Sequence, residues 1–420
     1  MFKKKQHIQA GQSQLSSKAR AFVFPLALLL MVSLPFAMLN PLSARGAEKT
    51  EASPPALSTH AQASSLMDVT SGRIIYSDKG DQELRIASLT KIMTAIVAIE
   101  HGRLQDQVKV GRAAYAKEGS SLFLRMGEQM TLENMLYGLM LRSGNDAASA
   151  IAEHVGGTEE GFVHLMNEKA VQLGLSHTHF ANPHGLDAER HYSSANDLAR
   201  LTAYALHNPT FARIVKTELK KAPNPNDSWD YSWRNKNKML RLYEGADGVK
   251  TGFTKKAFRC LVSSATRDGR QLVAVTLNDG DDWNDHARML DYGFKYYPLI
   301  PITDKQQPID GYPLLTGASF AYPLRDSEKT QLRKRLVLYK QSRAGSGSDV
   351  SFGLRGRVDF LLEGKLIGSV PVYKKGSRLP APSTEQPPQN APTAQVPVSS
   401  VQQRSWMSGW SEIIRNLFGA

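Results

Sequence analysis

Strand-like segments stand at both ends of residues 61–298 and helical segments fill the middle, so the two ends of this stretch are expected to meet in one sheet. Ser65–Tyr76 reads as two short strands around the turn signal Thr70-Ser71-Gly72. Cys260–Thr266 and Gln271–Leu277 read as a second pair, joined across Arg267-Asp268-Gly269-Arg270, where Asp-Gly marks a hairpin. Between them Leu89, Ile92, Met93, Ile96, Val97 and Ile99 recur at helical spacing, and Gly102 follows where a C-terminal cap belongs. Further helices are expected over 132–142, over 147–154, within 158–174 and within 195–207. The pattern predicts one mixed α/β unit.

Three polar islands interrupt this unit in a fixed order: Ser88-Leu89-Thr90-Lys91, Ser143-Gly144-Asn145 and Lys250-Thr251-Gly252. Ser88 stands where a helix begins, and Lys91 rises from the same face one turn later. An amine with a lowered pKa in that place can take the serine proton, which an unactivated hydroxyl needs before it can attack at neutral pH. Ser143 can relay a proton to a leaving group, and Asn145 can bind a substrate carbonyl. Lys250 and Thr251 offer a cation and a hydroxyl on a strand, and Gly252 removes a side chain where a substrate backbone could pair. Each island alone has an ordinary structural use: an N-cap beside a solvated lysine, a C-cap followed by an N-cap, a plain strand. Their order and spacing favour a serine acyl-transferase that works through a covalent acyl-enzyme.

The residues around the islands resemble the low-molecular-mass penicillin-binding proteins, the serine-type D-alanyl-D-alanine carboxypeptidases. Ile86–Ala95 resembles that family's nucleophile motif and Tyr137–Ala147 its second motif. Asn182-Pro183-His184-Gly185-Leu186-Asp187 and Tyr192–Ala199 resemble the segment between motifs two and three. The resemblance implies an α+β fold of the serine β-lactamase and penicillin-binding transpeptidase type, with an antiparallel sheet, flanking helices and a helical subdomain. It also implies Ser88 as nucleophile, Lys91 as general base and Ser143 as proton relay. The N–H groups of Ser88 and Phe253 would form an oxyanion hole. Asn145, Lys250, Thr251, Gly252 and Phe253 would bind a substrate ending in D-Ala-D-Ala, a peptidoglycan stem peptide, and β-lactams would acylate the same serine. Ala222–Asp230, Asp281–His286 and Thr254–Cys260 are most similar to the sporulation members that trim spore-cortex peptidoglycan, and vegetative relatives share most of the motifs. In the last of these segments Phe258 stands where a glycine is common elsewhere in the family.

The ends of the chain carry location rather than chemistry. Lys3, Lys4, Lys5, Lys18 and Arg20 precede an apolar run, and Ala44-Arg45-Gly46 offers a cleavage site, so residues 1–46 read as a secretory signal. Pro25 and Pro35 weaken the alternative, an uncleaved membrane helix. Removing that segment lowers the net charge from +13 to +7, which suits an anionic wall or membrane surface. No basic block interleaved with aromatics points to nucleic acid. The lone Cys260 excludes an intrachain disulfide. Residues 47–60 are a polar lead, 61–298 the catalytic domain, and 299–377 a small all-β domain. A proline-rich linker follows over 378–403. Over 404–420 the side chains of Trp406, Trp410, Ile413, Ile414, Leu417 and Phe418 share one helical face, as in an amphipathic helix lying on a membrane. The expected place of work is outside the cytoplasmic membrane or the forespore membrane, facing the wall.

No cofactor or metal is expected. His177, His179, His184 and His191 lack the spacing of a zinc motif and read as polar loop histidines, and Asp281, Asp282 and Asp285 read as capping and packing groups. A class A-type β-lactamase needs a glutamate for deacylation, and Leu175–Leu186 contains none. A non-catalytic wall-binding module would not need the intact acid–base residues.

Overall fold

The computed structural model describes residues 54–115, 117–339 and 353–377. The expected signal segment, the polar lead up to 53, the whole linker over 378–403 and the amphipathic 404–420 lie outside the described residues. The chain opens with strands β1 (Ala61–Asp68) and β2 (Ile74–Asp78), a 3-10 turn over Ala87–Thr90 and helix α1 (Lys91–His101). Strands β3 (Gln107–Lys109) and β4 (Gln129–Thr131) pair and lead into α2 (Leu132–Tyr137), α3 (Asn145–Gly156) and α4 (Glu159–Gln172). Then come α5 (Ala195–Leu206), α6 (Pro209–Lys216), the paired strands β5 (Leu219–Ala222) and β6 (Tyr231–Arg234), and α7 (Met239–Leu242). Strands β7 (Ala246–Thr254), β8 (Phe258–Arg267) and β9 (Arg270–Asp279) precede α8 (Asp282–Tyr296).

The ends of this unit do meet in one sheet. Its order is β2-β1-β9-β8-β7, and β1 pairs antiparallel with β9 from Ala61↔Asp279 to Asp68↔Leu272. Side chains alternate across it with the period of a strand. Leu66, Leu261, Leu272 and Ala274 face Met289 and Leu290 of α8. Met67, Val262, Val273 and Val275 face the helical side, in one core with Ile92, Ile96, Phe162 and Phe211. Burial of each such large side chain stabilises the fold by about 1.5–3 kcal/mol. Cys260 lies inside this core, and burial pushes its thiol up to about 12. It is an inert packing residue, as its apolar neighbours predict.

The helix expected over 132–142 is α-helical only to Tyr137. Gly138–Arg142 are wound as a wider π turn, which ends at Ser143 in a left-handed conformation (φ 66°). The next helix begins at Asn145, two residues earlier than its apolar pattern suggests. Residues 209–242, for which the sequence pattern predicts no element, hold α6, the β5–β6 hairpin and α7. These are short pieces, too short to show a period.

Beyond α8 the chain forms β10 (Leu299–Thr303), β11 (Leu314–Thr316), β12 (Phe320–Pro323), α9 (Asp326–Lys329), β13 (Leu332–Leu338), β14 (Leu354–Leu362) and β15 (Lys365–Lys374). The four-stranded sheet has the order β11-β15-β14-β13 and its own small core of Val358, Phe360, Val370 and Val372. Arg73, just before β2, ties this β region to the first sheet. Its guanidinium reaches both oxygens of the buried Glu328, at 3.0 and 2.6 Å, donates to Pro323 O and lies over the rings of Tyr297 and Tyr322. Burial alone would raise the Glu328 carboxyl, but its bonds to Arg73 and Arg325 outweigh burial and hold it below its ordinary value. Removing Arg73 leaves that carboxylate buried without its main partner. Arg73→Ala is expected to cost about 3 kcal/mol, read as a lowered Tm with faster proteolysis between 298 and 324. A Tm unchanged from wild type would show that the two regions are held together elsewhere.

Candidate active site

The 3-10 turn over Ala87–Thr90 presents Ser88, and two glycines let other segments approach it. A Cβ at Gly252 would lie 3.2 Å from Ala87 Cβ and from Ser88 N, so edge strand β7 runs directly against the turn. That close approach, rather than strand pairing alone, gives Gly252 its place. Gly185 has φ +85°, and a Cβ there would sit 2.0 Å from Ala87 O.

Lys91 is completely buried. Its Nζ lies 3.0 Å from Ser88 Oγ, 2.7 Å from Asn145 Oδ1 and 2.5 Å from His184 O. As a neutral amine it donates to Asn145 and His184 and turns its lone pair to the serine hydroxyl. Burial, then the charges of Lys250 and Lys236, hold its pKa well below the ordinary lysine value against the pull of Asp146. The groups that meet Lys91 among the described residues include no carboxylate at hydrogen-bond distance.

Asn145 uses both ends of its amide within the protein. Oδ1 accepts from Lys91, while Nδ2 donates to Glu118 O at 2.7 Å. Its geometry is that of a group holding Lys91, rather than that of a free carbonyl-binding amide. The following residue, Asp146, is a site residue that the sequence reading missed. Its carboxylate accepts from Leu122 N, Leu124 N and Ser121 Oγ at 2.7–3.2 Å, fixing the loop beside the cleft. An acidic residue in the first turn of a helix reads as a dipole partner, and nothing local reveals its contacts 22 to 25 residues away.

Ser143 is buried, and its Oγ accepts from Lys250 Nζ at 3.1 Å. Lys250 is 2% exposed and also donates to Thr251 O at 2.7 Å. Burial first, then the charge of Lys236, lowers its pKa to about 7. Thr251 is half-buried, and the Phe253 ring is 66% exposed beside the cleft. Thr254 Oγ1 donates to Asp187 at 3.1 Å, joining β7 to the segment after His184.

Two of the four clustered histidines are buried parts of the site, not polar loop groups. His191 Nδ1 accepts from Ala181 N at 3.0 Å, so its Nε2 carries the proton and donates to Thr90 Oγ1 at 2.7 Å. Thr90 in turn donates to Ala87 O, within the serine turn. Burial, then the charges of His179, Arg85 and Lys91, lower His191 to about 4. His184 is lowered to about 2 by burial, then by Lys117, Lys91 and His191. Both stay neutral at pH 7. His177 and His179 lie on the outside. His60, Asp281 and Asp285 bring possible ligand atoms within 4.8 Å of one another, but Arg288 contacts both carboxylates and already supplies the cation. Asp282 pairs with Arg259, in keeping with a packing role.

This arrangement can deprotonate Ser88, deliver a proton from Ser143 and place positive charge beside both. Residues 48–281 match the model of the D-alanyl-D-alanine carboxypeptidase family. The chain belongs to that family. It is 34% identical over 280 residues to D-alanyl-D-alanine carboxypeptidase DacF of Bacillus subtilis, covering 65% of this chain and 72% of that protein. The likeness to DacC of Escherichia coli is 35% over 273 residues, 61% of this chain and 66% of that one. The solved structure of penicillin binding protein 5 from Haemophilus influenzae matches with a TM-score of 0.64 and 27% identity, over 78% of this chain and 99% of that one. The α+β transpeptidase-type fold and the serine-type D-alanyl-D-alanine carboxypeptidase activity follow from this membership, as does reaction with β-lactams. Phe258 takes φ +56°, a conformation that favours glycine.

Gly185 is the position where backbone geometry and chemistry meet. Gly185→Ala is expected to push the serine turn out of place and slow acylation by a fluorescent penicillin about a hundredfold, with far-UV circular dichroism unchanged. Acylation at the wild-type rate would mean that the turn tolerates the displacement.

Proposed function

We propose that the enzyme removes the terminal D-alanine from pentapeptide stems of peptidoglycan through an acyl-enzyme on Ser88. The observation that carries this reading is the buried Lys91 amine, held within 3.0 Å of Ser88 Oγ by Asn145 and His184. Lys91 takes the hydroxyl proton as Ser88 Oγ attacks the carbonyl carbon of the D-Ala-D-Ala bond. The N–H groups of Ser88 and Phe253 stabilise the oxyanion, each such donor being worth about 3 kcal/mol. The proton reaches the departing amine through Ser143, whose Oγ is oriented by Lys250. The terminal carboxylate meets the positive end of the site, with the Thr251 hydroxyl and Gly252 lining β7. Water then attacks the ester carbonyl, gives a proton to the Lys91 amine, and Lys91 passes that proton to Ser88 Oγ as the ester bond breaks.

Only the neutral amine is a base. Because the folded environment lowers the Lys91 pKa, activity is present above that pKa and lost as pH falls through it. Ser88→Ala is expected to abolish labelling by fluorescent penicillin. Lys91→Ala should fold and lose acylation by about 10²–10⁴-fold, with the acid limb of the pH profile gone. Near-normal acylation by the lysine variant at any pH from 5 to 9 would remove Lys91 from this role.

The substrate is placed outside the cytoplasm by the expected signal over 1–46, facing the wall from the cytoplasmic or forespore membrane. Trimming of spore-cortex peptidoglycan is supported by the sequence segments 222–230 and 281–286 and by the likeness to DacF. Among the described residues no helix is long and apolar enough to cross a membrane. The proposed attachment is the amphipathic 404–420, with Trp406 and Trp410 at headgroup depth. Truncation after Pro397 is expected to leave D-alanine release intact and to abolish co-sedimentation with anionic liposomes. A truncated protein that still sediments would place the attachment elsewhere in the chain.

A further inference from the structure

Phe123 is an aromatic residue that the fold turns out into water. Its side chain is 85% exposed, and its backbone takes φ 63°, a conformation that a bulky residue enters at a cost. Both of its neighbours are pinned, since Leu122 N and Leu124 N donate to the Asp146 carboxylate at 2.9 and 3.2 Å. Phe123 N itself donates to Ser121 Oγ at 2.8 Å. Apolar burial does not offset the strain, because the ring stays in solvent.

A second exposed ring stands on the loop fastened to this one. Residues 223–230 take no part in the proposed reaction, yet they carry Trp229 at 65% exposure. The buried Glu128 carboxylate clamps the two loops together, accepting from Arg125 N at 2.8 Å, Asn226 Nδ2 at 2.7 Å and, at the foot of the second loop, Tyr231 OH at 2.9 Å. The joined rim is continuous with the cleft. Ser120 O accepts from Asn145 N at 2.7 Å, and a Cβ at Gly144 would lie 2.7 Å from Leu122 Cγ. Arg125 is the one cation in 119–128 and 223–230, and Asp227 pairs with it at 3.1 Å, while Asp230 stays exposed. Such a rim does not attract carboxylates, phosphates or an anionic bilayer surface. Exposed rings without a free cation suit an uncharged ligand, whose C–H faces lie on aromatic rings and whose hydroxyls donate to a carboxylate.

We propose that Phe123 and Trp229 form a platform for the sugar rings of peptidoglycan, the N-acetylated glycan from which the stem peptide hangs. The inference rests on the reading of that stem as the substrate. Four stem residues separate the scissile bond from the sugar, so chain reach puts the glycan on the order of 14 Å from Ser88, outside the cleft and at its rim. The strained backbone at Phe123 then serves to present the ring to that ligand, and the Glu128 clamp holds the two rings on one surface.

The test uses the full chain and follows D-alanine release from L-alanyl-γ-D-glutamyl-L-lysyl-D-alanyl-D-alanine, either free or linked to N-acetylglucosaminyl-N-acetylmuramic acid. Wild type should show the lower KM for the sugar-linked form. Phe123→Gly should raise that KM about fivefold and leave the free peptide within about twofold. It should do so without lowering Tm, since glycine takes φ 63° freely. Trp229→Ala, on the other loop, should raise the same KM alone, and it carries the test if the glycine variant does not fold. Trp229→Phe should keep the preference. Equal wild-type KM values on the two substrates, or variants that lose equally on both or on neither, would overturn the platform. A dimer in sedimentation that both variants abolish, with both KM values unchanged, would make the rim an interface between copies instead. A wild type that releases no D-alanine from either substrate would overturn the underlying reading of the site.

Discussion

A lysine amine with no access to water is the constraint around which the site is built. Taking an ammonium out of water costs several kcal/mol, and a buried lysine answers by giving up its proton. Lys91 meets three uncharged groups from three separate stretches: the Ser88 hydroxyl in the serine turn, and two acceptors, Asn145 Oδ1 at the start of α3 and His184 O. None carries a charge that would restore the ammonium. Its two positive neighbours, Lys250 and Lys236, push in the same direction as burial. The same desolvation that costs stability therefore favours the neutral amine that the proposed mechanism uses as its base.

Holding those acceptors still explains much of the surrounding structure. The His184 carbonyl is positioned because Thr94 Oγ1 donates to Pro183 O at 2.6 Å and Gly185 N donates to Asn182 Oδ1 at 2.7 Å. The serine turn is braced from behind by the neutral His191 through Thr90. Asn145 is held by its amide bond to Glu118 O, and the loop carrying Glu118 is held by Asp146. A change at any of these braces reaches Lys91 through the group that it holds in place. They belong to the chemistry even though they do not touch the reacting atoms.

Sequence pattern made the strands β1, β8 and β9, helix α1 and the three islands legible because each is written in neighbouring residues: a period, a turn pair, a spacing of three. What joins them is written in residues far apart. Asp146 reads as an ordinary helix-start acid, yet its partners lie at 121–124. Arg73 and Glu328 are 255 residues apart. His184 and His191 carry no local sign of burial, since polar loops and the walls of a catalytic cleft share one composition. Lys250 has the right residue type for an anion, but only the fold shows its ammonium turned to Ser143. The residue identities were readable, and the direction in which each side chain points was not.

Strain marks the same boundary between local pattern and function. Among the described residues, Ala87 and Ser143 take positive φ angles of 47° and 66°, a region that side-chain-bearing residues enter at a cost of about 1 kcal/mol or more. One precedes the serine that attacks in the proposed mechanism, and the other is its proton relay. A glycine at position 143 would adopt that backbone freely and would have no hydroxyl to meet Lys250. Ser143 takes this conformation between the π turn over Gly138–Arg142 and the helix that begins at Asn145. The wide turn over Gly138–Arg142 leads directly into this left-handed Ser143, whose Oγ meets Lys250 Nζ at 3.1 Å.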